Sequence, residues 1–443
     1  MRDLRKTWGP WVATLPPETV DAGLYGISAV FAAVTAGFST LALYRAWGEI
    51  AVGPYLVVGA VSALLGRRRR LPRPTSETRA GGGATRLSGV RIWLLVVTLI
   101  GAVVAPLAVE VALRGHGNPP AHVQPEVVVI EQAGERLAQG KDPYHATVSH
   151  GHVLSAVPGE PAYEAFFPYL PLMAVFGLPA STHAPVGLSD ARVFFTLVTL
   201  VVVALALALA RGPTEPRFRV LQFAAVLPTA ALPLVTGGDD MPIVAFLLLA
   251  MVLAQRRRPG WSGVVLGAVS AMKFTAWPLA ALALFAARDR SGRRAPLRML
   301  AGILVVTVPI VVPFMLRDVR AFVYNVVLFP LGLAGVPSPA ASALPGHILV
   351  SVFPGIHRIL PVALVVIGAV VVVRVLVRHP PSTPAQVTSL AAWIMLVAIL
   401  FAPATRVGYL LYPADFFVWA YMFRRQDRAD RSVVVPEPAV AER

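Results

Sequence analysis

Lys273 is the one lysine set inside an apolar run, in GAVSAMKFTAWPLA; the only others are Lys6 and Lys141. An ammonium at membrane depth costs about 2.5–3.5 kcal/mol on insertion scales, so it calls for water or an anion such as a phosphate. Snorkelling of the lysine to the interface is the plainer alternative. Arg406, in FAPATRVGYLLYPADFF, has a guanidinium fork that fits phosphate oxygens, and a lipid contact at the bilayer surface would account for it as well. Asp239 and Asp240 follow two glycines at a helix start. Two adjacent carboxylates suit a metal or hydroxyl contacts, or only the positive end of a helix dipole. Glu126 follows Pro125, where the same dipole favours a carboxylate in the first turn. Glu131 and Glu135 are four apart and share a helix face, which solvent exposure explains, and Asp142 in KDPY reads as a turn residue. Tyr409 and Asp415 are candidates for hydroxyl contacts, with an arginine as the alternative partner of Asp415. The nine histidines form no close H-x-x-x-H pair, and His145, His150 and His152 read as a solvated loop cluster. No tightly held metal is expected. The absence of cysteine excludes disulfides, thiolate sites and cysteine nucleophiles.

The elements that must position these residues follow from composition. Of the 443 residues 56% are hydrophobic and 14% charged, whereas soluble domains carry about a quarter of their residues as charges. The chain reads as an all-α, polytopic membrane protein in one domain, 1–443. The net charge of +16 is nearly all arginine, placed in short bursts between apolar runs as in cytoplasmic membrane loops rather than in a nucleic-acid-binding surface. Runs long enough to cross are Ala22 to Trp47, Ile50 to Leu65, Val90 to Leu113, Arg192 to Ala210, Val220 to Val235, Leu297 to Leu316, Ile359 to Val377 and Val387 to Phe401, with shorter ones at Pro242 to Ala254 and Tyr409 to Phe423. The amino-terminal stretch MRDLRKTWGP is not followed by a cleavable signal pattern.

Arginines orient the chain. Arg67 to Arg70, Arg73, Arg79 and Arg86 mark residues 67–89 as a cytoplasmic loop, and the tail 424–443 is cytoplasmic too. Residues 114–166 then form an acidic external loop, both termini lie inside, and about ten crossings result. One run breaks the alternation: Trp261 to Ala287 is flanked at both ends by arginine clusters, Arg256 to Arg258 and Arg288 to Arg294. Two half-length helices turning at Lys-Phe-Thr-Ala-Trp-Pro would restore the rule, because Pro278 removes a helix hydrogen bond. Non-helical backbone at that depth must be buried in protein or line a cavity. Phe167 to Ala180 is expected as a second short re-entrant or tilted helix.

The external loop holds PEVVVIEQAGERLAQGKDPY, Pro125 to Tyr144, and then FFPYLPLMAVFGLPA, Phe166 to Ala180. An acid, an amphipathic helix, a G-x-x-x-Y turn and a proline-rich helix start resemble the first external loop of the GT-C glycosyltransferases, specifically the polyprenyl-phosphomannose-dependent mannosyltransferases of family 87. That family has two adjacent prolines where this chain has Pro168, Tyr169, Leu170 and Pro171. Thr236 to Ala280, with its polar turn, arginine loop and glycine-rich helix ending near Lys-x-x-x-x-Pro, is similar to a later stretch of the same family. The resemblance implies inverting transfer of mannose or another hexose or pentose, at the external face of the cell membrane. The donor would be a polyprenyl-phosphate sugar, the acceptor a glycolipid or glycan of the envelope, and no cofactor would be tightly bound. By position Glu126 takes the role of the family's catalytic acid, usually aspartate, with Glu131 and Asp142 as alternatives. Lys273 and Arg406 would hold the donor phosphate, and Tyr144, Tyr169, Asp239, Asp240 and Tyr409 would contact sugar or acceptor. The competing classes are a lipid or amphiphile transporter, since half-helices and intramembrane charge also describe transport sites, and a non-enzymatic membrane protein.

Overall fold

The computed structural model describes residues 15–70, 89–116, 119–149, 152–153, 161–182, 184–290, 292–336, 340–356 and 359–434. Most of the basic loop, with Arg73, Arg79 and Arg86, part of the external loop with His150, and the end of the tail lie outside the described residues. Among the described residues eight helical spans are long and apolar enough to cross a membrane. They are α1 (Pro17–Phe38), α2 (Ala42–Arg68), α3 (Gly89–Arg114), α5 (Ala191–Leu209), the pair α6 and α7 (Thr214–Ala225 and Pro228–Thr236), α11 (Ala295–Arg317), α12 (Ile359–Arg378) and α13 (Pro384–Phe401). The two shorter expected spans are α8 (Asp240–Gln255) and α14 (Leu411–Val434). The loop between α3 and α5 carries α4 (Pro125–Ala138) and a small hairpin pairing Val148–Ser149 with His152–Val153.

Three boundaries differ from expectation, each for a local reason. The run read as Ala22 to Trp47 is broken at Ser39, whose hydroxyl accepts the Leu41 N–H at 3.2 Å, a side-chain bond that competes with the helix ladder. The run from Val220 to Val235 is broken at Leu227, which is extended because the residue before a proline is pushed out of the α region. Phe167 to Ala180 becomes a 3₁₀ run, Pro171–Ser181, rather than an α-helix. It lies so close on α4 that a Cβ at Gly177 would stand 1.9 Å from the Ile130 carbonyl oxygen, and one at Gly134 2.1 Å from the Gly177 carbonyl carbon. Only glycine at both positions permits that approach, and the approach sets the depth of α4.

The segment around Lys273 is a hairpin. The half-length helices are α9 (Pro259–Ser270) and α10 (Trp277–Arg290), separated by a 3₁₀ turn at Phe274–Ala276. Gly263 lies against the Met299 carbonyl and Gly267 against that of Ile303, so α9 and α11 run parallel and α10 must return between them. Consistently, Met251, Pro259, Ala286, Met299 and Thr383 line one crevice, which puts the end of α8, the start of α9, the end of α10 and the starts of α11 and α13 at one end of the bundle. Lys273 stands at the other.

Both ends are sewn by buried ions. At the arginine-rich end Arg91 of α3 grips Asp21 of α1 at 2.6 Å and Glu215 of α6 at 2.6 Å, and Arg219 joins the same carboxylates. At the Lys273 end the scarcity of arginine that the sequence suggested does not hold. Arg114 is there, bonded to Glu131 at 2.5 Å and Asp190 at 2.8 Å, and the fully buried Arg192 bonds Asp190 at 2.7 Å. These guanidiniums are neutralised by carboxylates, which is why they can sit away from the arginine-rich end. Breaking a buried pair by removing one partner costs about 3–5 kcal/mol, since the remaining charge is left uncompensated. Arg114→Met should therefore lower the melting temperature of the detergent-solubilised protein markedly; an unchanged melting curve would mean that Glu131 and Asp190 do not depend on it.

Candidate active site

The loop between α3 and α5 places Glu126 through two anchors. Arg192 donates to the His122 carbonyl at 2.8 Å, and Gln124 Nε2 donates to the Tyr44 hydroxyl at 2.6 Å and to Thr236 Oγ1 at 3.2 Å. Gln124 is extended and caps α4, Pro125 opens it, and Glu126 follows in its first turn. Asp239 and Asp240 come from the turn between α7 and α8. Gly237 there has φ +107°, a conformation only glycine adopts readily, and it swings the two aspartates toward the hairpin tip. The tip is tied down by backbone: Leu170 N–H donates to the Met272 carbonyl at 2.9 Å and Leu172 N–H to that of Ala271 at 3.0 Å, which brings Tyr169 beside Lys273. Arg406 is delivered by the link between α13 and α14, where Thr405 exchanges backbone bonds of 2.9 Å with Ala340 and Ser342.

These four chain regions meet. Lys273 Nζ donates to Asp239 Oδ2 at 2.8 Å and to Asp240 Oδ1 at 2.6 Å, and the rings of Tyr169 and Tyr409 stand 5.3 and 5.7 Å away. Such distances allow cation–π attraction. The Tyr412 hydroxyl donates to Asp240 Oδ1 at 2.5 Å and is itself joined to Thr275 at 2.7 Å. Arg406 Nη1 bonds Glu126 Oε1 at 2.6 Å. Burial works against the charge of Arg406, yet Glu126 and the neighbouring tyrosines raise its pKa above the usual arginine value. Tyr409 feels Lys273, Arg406 and Glu126 together, so the two ion pairs form one cluster of two cations and three carboxylates. No spacing in the chain points to the Glu126–Arg406 contact, nor to Tyr44, Gln124, Thr275 and Tyr412, which lack the charge or motif that marks the other site residues.

Several expectations are revised. Glu131 is neither exposed nor at the cluster: both its oxygens bond Arg114, at 2.9 and 2.5 Å, and one also accepts the Ala191 N–H. Asp142 is a turn residue, its Oδ1 accepting the Tyr144 N–H at 2.9 Å. Tyr144 turns its hydroxyl inward, onto the Tyr169 carbonyl at 2.8 Å, so it supports that segment and does not face the cluster. Burial raises its phenol well above the ordinary value. Asp239 and Asp240 supply the anions that the sequence argument sought for Lys273. Asp415 is buried in α14 and its Oδ1 has no hydrogen-bond partner among the described residues, so the arginine pair expected as its alternative is not formed. Among the described residues no group of three histidine, aspartate or glutamate side chains is arranged to hold a metal ion.

An all-α bundle with a half-length hairpin and an ion-paired cluster at the end remote from its arginine loops defines a polytopic membrane protein with a candidate polar site at that end. Residues 167–405 match the family model described as Glycosyltransferase family 87. The match spans more than half of the chain, which belongs to this family and is a membrane glycosyltransferase. No curated protein and no solved structure matches the chain. Membership sets aside the transporter and the non-enzymatic alternatives, and Lys273, Asp239, Asp240 and Arg406 sit within or at the edge of the matched segment or just beyond it, whereas Glu126 precedes it.

Proposed function

We propose that this glycosyltransferase takes a sugar, mannose or another hexose or pentose, from a polyprenyl-phosphate donor and passes it to a hydroxyl of an envelope glycolipid or glycan at the outer face of the cell membrane. The observation that carries the reading is the convergence of Glu126 with Arg406, and of Lys273 with its aspartates, at the end of the bundle opposite the arginine loops. A membrane-embedded donor needs a cation for its phosphate and a carboxylate for the acceptor, and here both lie in one cluster. In a single displacement Glu126 takes the proton from the acceptor hydroxyl as that oxygen bonds the anomeric carbon. The bond from that carbon to the phosphate oxygen breaks, its electron pair stays on the phosphate, and the configuration inverts. The polyprenyl phosphate leaves with one more negative charge, which Arg406 meets with its fork. Lys273, bonded to Asp239 and Asp240 and flanked by the rings of Tyr169 and Tyr409, fixes the wall of the cluster behind it.

The assay offers purified protein in lipid vesicles a radiolabelled polyprenyl-phosphate sugar beside the matching nucleotide sugar. Label should pass to acceptor from the lipid donor alone; transfer from the nucleotide sugar alone would defeat the proposal. The sidedness follows from the arginines: a reporter at Arg428 should read cytoplasmic and one at Ser155 external. A cytoplasmic Ser155 would put the cluster on the wrong face for an external acceptor.

A further inference from the structure

Neither oxygen of Glu126 is open to an acceptor. Oε1 is held by Arg406 Nη1 at 2.6 Å, and Oε2 is sealed from solvent with no hydrogen-bond partner. A general base must place a free lone pair within reach of the hydroxyl it deprotonates, so the residue as it stands is idle. Its jailer is the cation best shaped to grip a phosphate. Among the described residues Arg406 has no other carboxylate bonded to it, and its side chain keeps 24% exposure, enough for an incoming anion to reach the guanidinium. Lys273 offers no such exchange, because two aspartates at 2.8 and 2.6 Å hold it from within the protein.

We propose that Arg406 couples the two substrates: the donor phosphate displaces the Glu126 carboxylate from the guanidinium, and this displacement frees the base for the acceptor. The idea rests on the donor and base roles proposed above. Arg406 is then a positioning residue toward Glu126 as well as a phosphate ligand. The chemistry that does the switching is competition of two oxyanions for one fork. Two consequences follow. Donor binds before acceptor becomes reactive, and the donor cannot meet an activated water in an enzyme whose base is still latched.

The test is a titration of polyprenyl monophosphate into the full-length protein and three variants, with turnover measured in parallel. Glu126→Gln keeps the side-chain shape but removes the competing charge, so it should bind the lipid phosphate about tenfold more tightly, the lower end of what a charged hydrogen bond is worth. Arg406→Gln should bind it more weakly. The double variant should match Arg406→Gln, with no gain from the glutamine, because there is no longer a cation to release. That epistasis separates a latch from a plain field effect: if Glu126→Gln tightens binding equally with or without Arg406, the negative charge merely repels the phosphate and the latch is wrong. Unchanged affinity in Glu126→Gln also overturns it. Neutral polyprenol should show no gain in any variant, and inorganic phosphate at the same concentration should not bind; a gain with the alcohol, or equal binding of the free anion, contradicts a headgroup acting at Arg406. A second measurement needs no variant. In the wild-type enzyme bound polyprenyl monophosphate should raise the affinity for a non-reactive acceptor analogue, whose hydroxyl gains the freed carboxylate as a hydrogen-bond partner, and an affinity unchanged by the lipid phosphate would contradict release of the base by the donor. Failure of the underlying function looks different: the wild type would bind no polyprenyl phosphate, or Glu126→Gln would turn over normally.

Discussion

Glu126→Gln should lose two or more orders of magnitude in turnover while folding normally. General bases contribute roughly 10²–10⁴ in rate, and glutamine cannot accept the acceptor proton. The fold should be spared because Glu126 lies in the first turn of α4 and its single strong contact is the Arg406 guanidinium at 2.6 Å, to which an amide oxygen can still bond. The comparison variants are Glu131→Gln and Asp142→Asn. Glu131 holds Arg114, so its loss should appear in thermal stability, with per-molecule turnover retained. Asp142 caps a turn at Tyr144, so its loss should be mild in both. Initial rates on equal amounts of folded protein, sorted by size-exclusion chromatography, check all three. Full activity in Glu126→Gln would transfer the base role elsewhere.

The second large effect is on stability. Insertion energetics alone favour Lys273→Met, because methionine is cheaper than lysine in an apolar segment. The structure reverses that sign. Lys273 is the cation paired with both Asp239 and Asp240, each at least 95% buried, and its removal strands two carboxylates against each other and against Glu126. Removing one partner of a buried pair costs about 3–5 kcal/mol. Lys273→Met should therefore reduce yield and melting temperature sharply. Adding Asp239→Asn and Asp240→Asn to it should restore much of the stability and none of the activity, because the buried charges are gone together. A single Lys273→Met protein as stable as the parent would mean that the lysine is not the partner of the aspartates in the membrane.

Much of this architecture was legible because hydrophobic length and arginine placement are one-dimensional signals. The hairpin is the clearest case: arginines on both sides of a 27-residue apolar run, with a lysine and a proline in its middle, admit few other arrangements, and the parallel packing of Gly263 on Met299 and Gly267 on Ile303 is that arrangement. The family likeness was readable for the same reason, as an order of weak motifs along the chain. What stayed hidden was pairing across the fold. Glu126 and Arg406 are far apart in the chain, and neither has a spacing that names the other. Glu131 shares a helix face with Glu135, so periodicity could place the two together but could not say that Arg114 would come to bury one of them. Tyr144 sits in a turn motif that suggested a substrate contact, and only the position of the Tyr169 carbonyl decides that its hydroxyl points inward. Aspartates beside a lysine were each visible, but their union needed the left-handed turn at Gly237 and the backbone bonds that fasten the hairpin tip to Leu170 and Leu172. Tertiary contact, rather than local pattern, chose these partners.

The most direct measurement of the whole account is a cryo-electron density map of the full-length protein with polyprenyl monophosphate bound. The phosphate should lie within hydrogen-bond distance of Arg406, the hydrocarbon chain should leave the cluster toward the membrane, and Glu126 should have parted from the guanidinium. A phosphate seated at the opposite, arginine-rich end, or one bound away from Arg406 with the Glu126 contact of 2.6 Å intact, would contradict it.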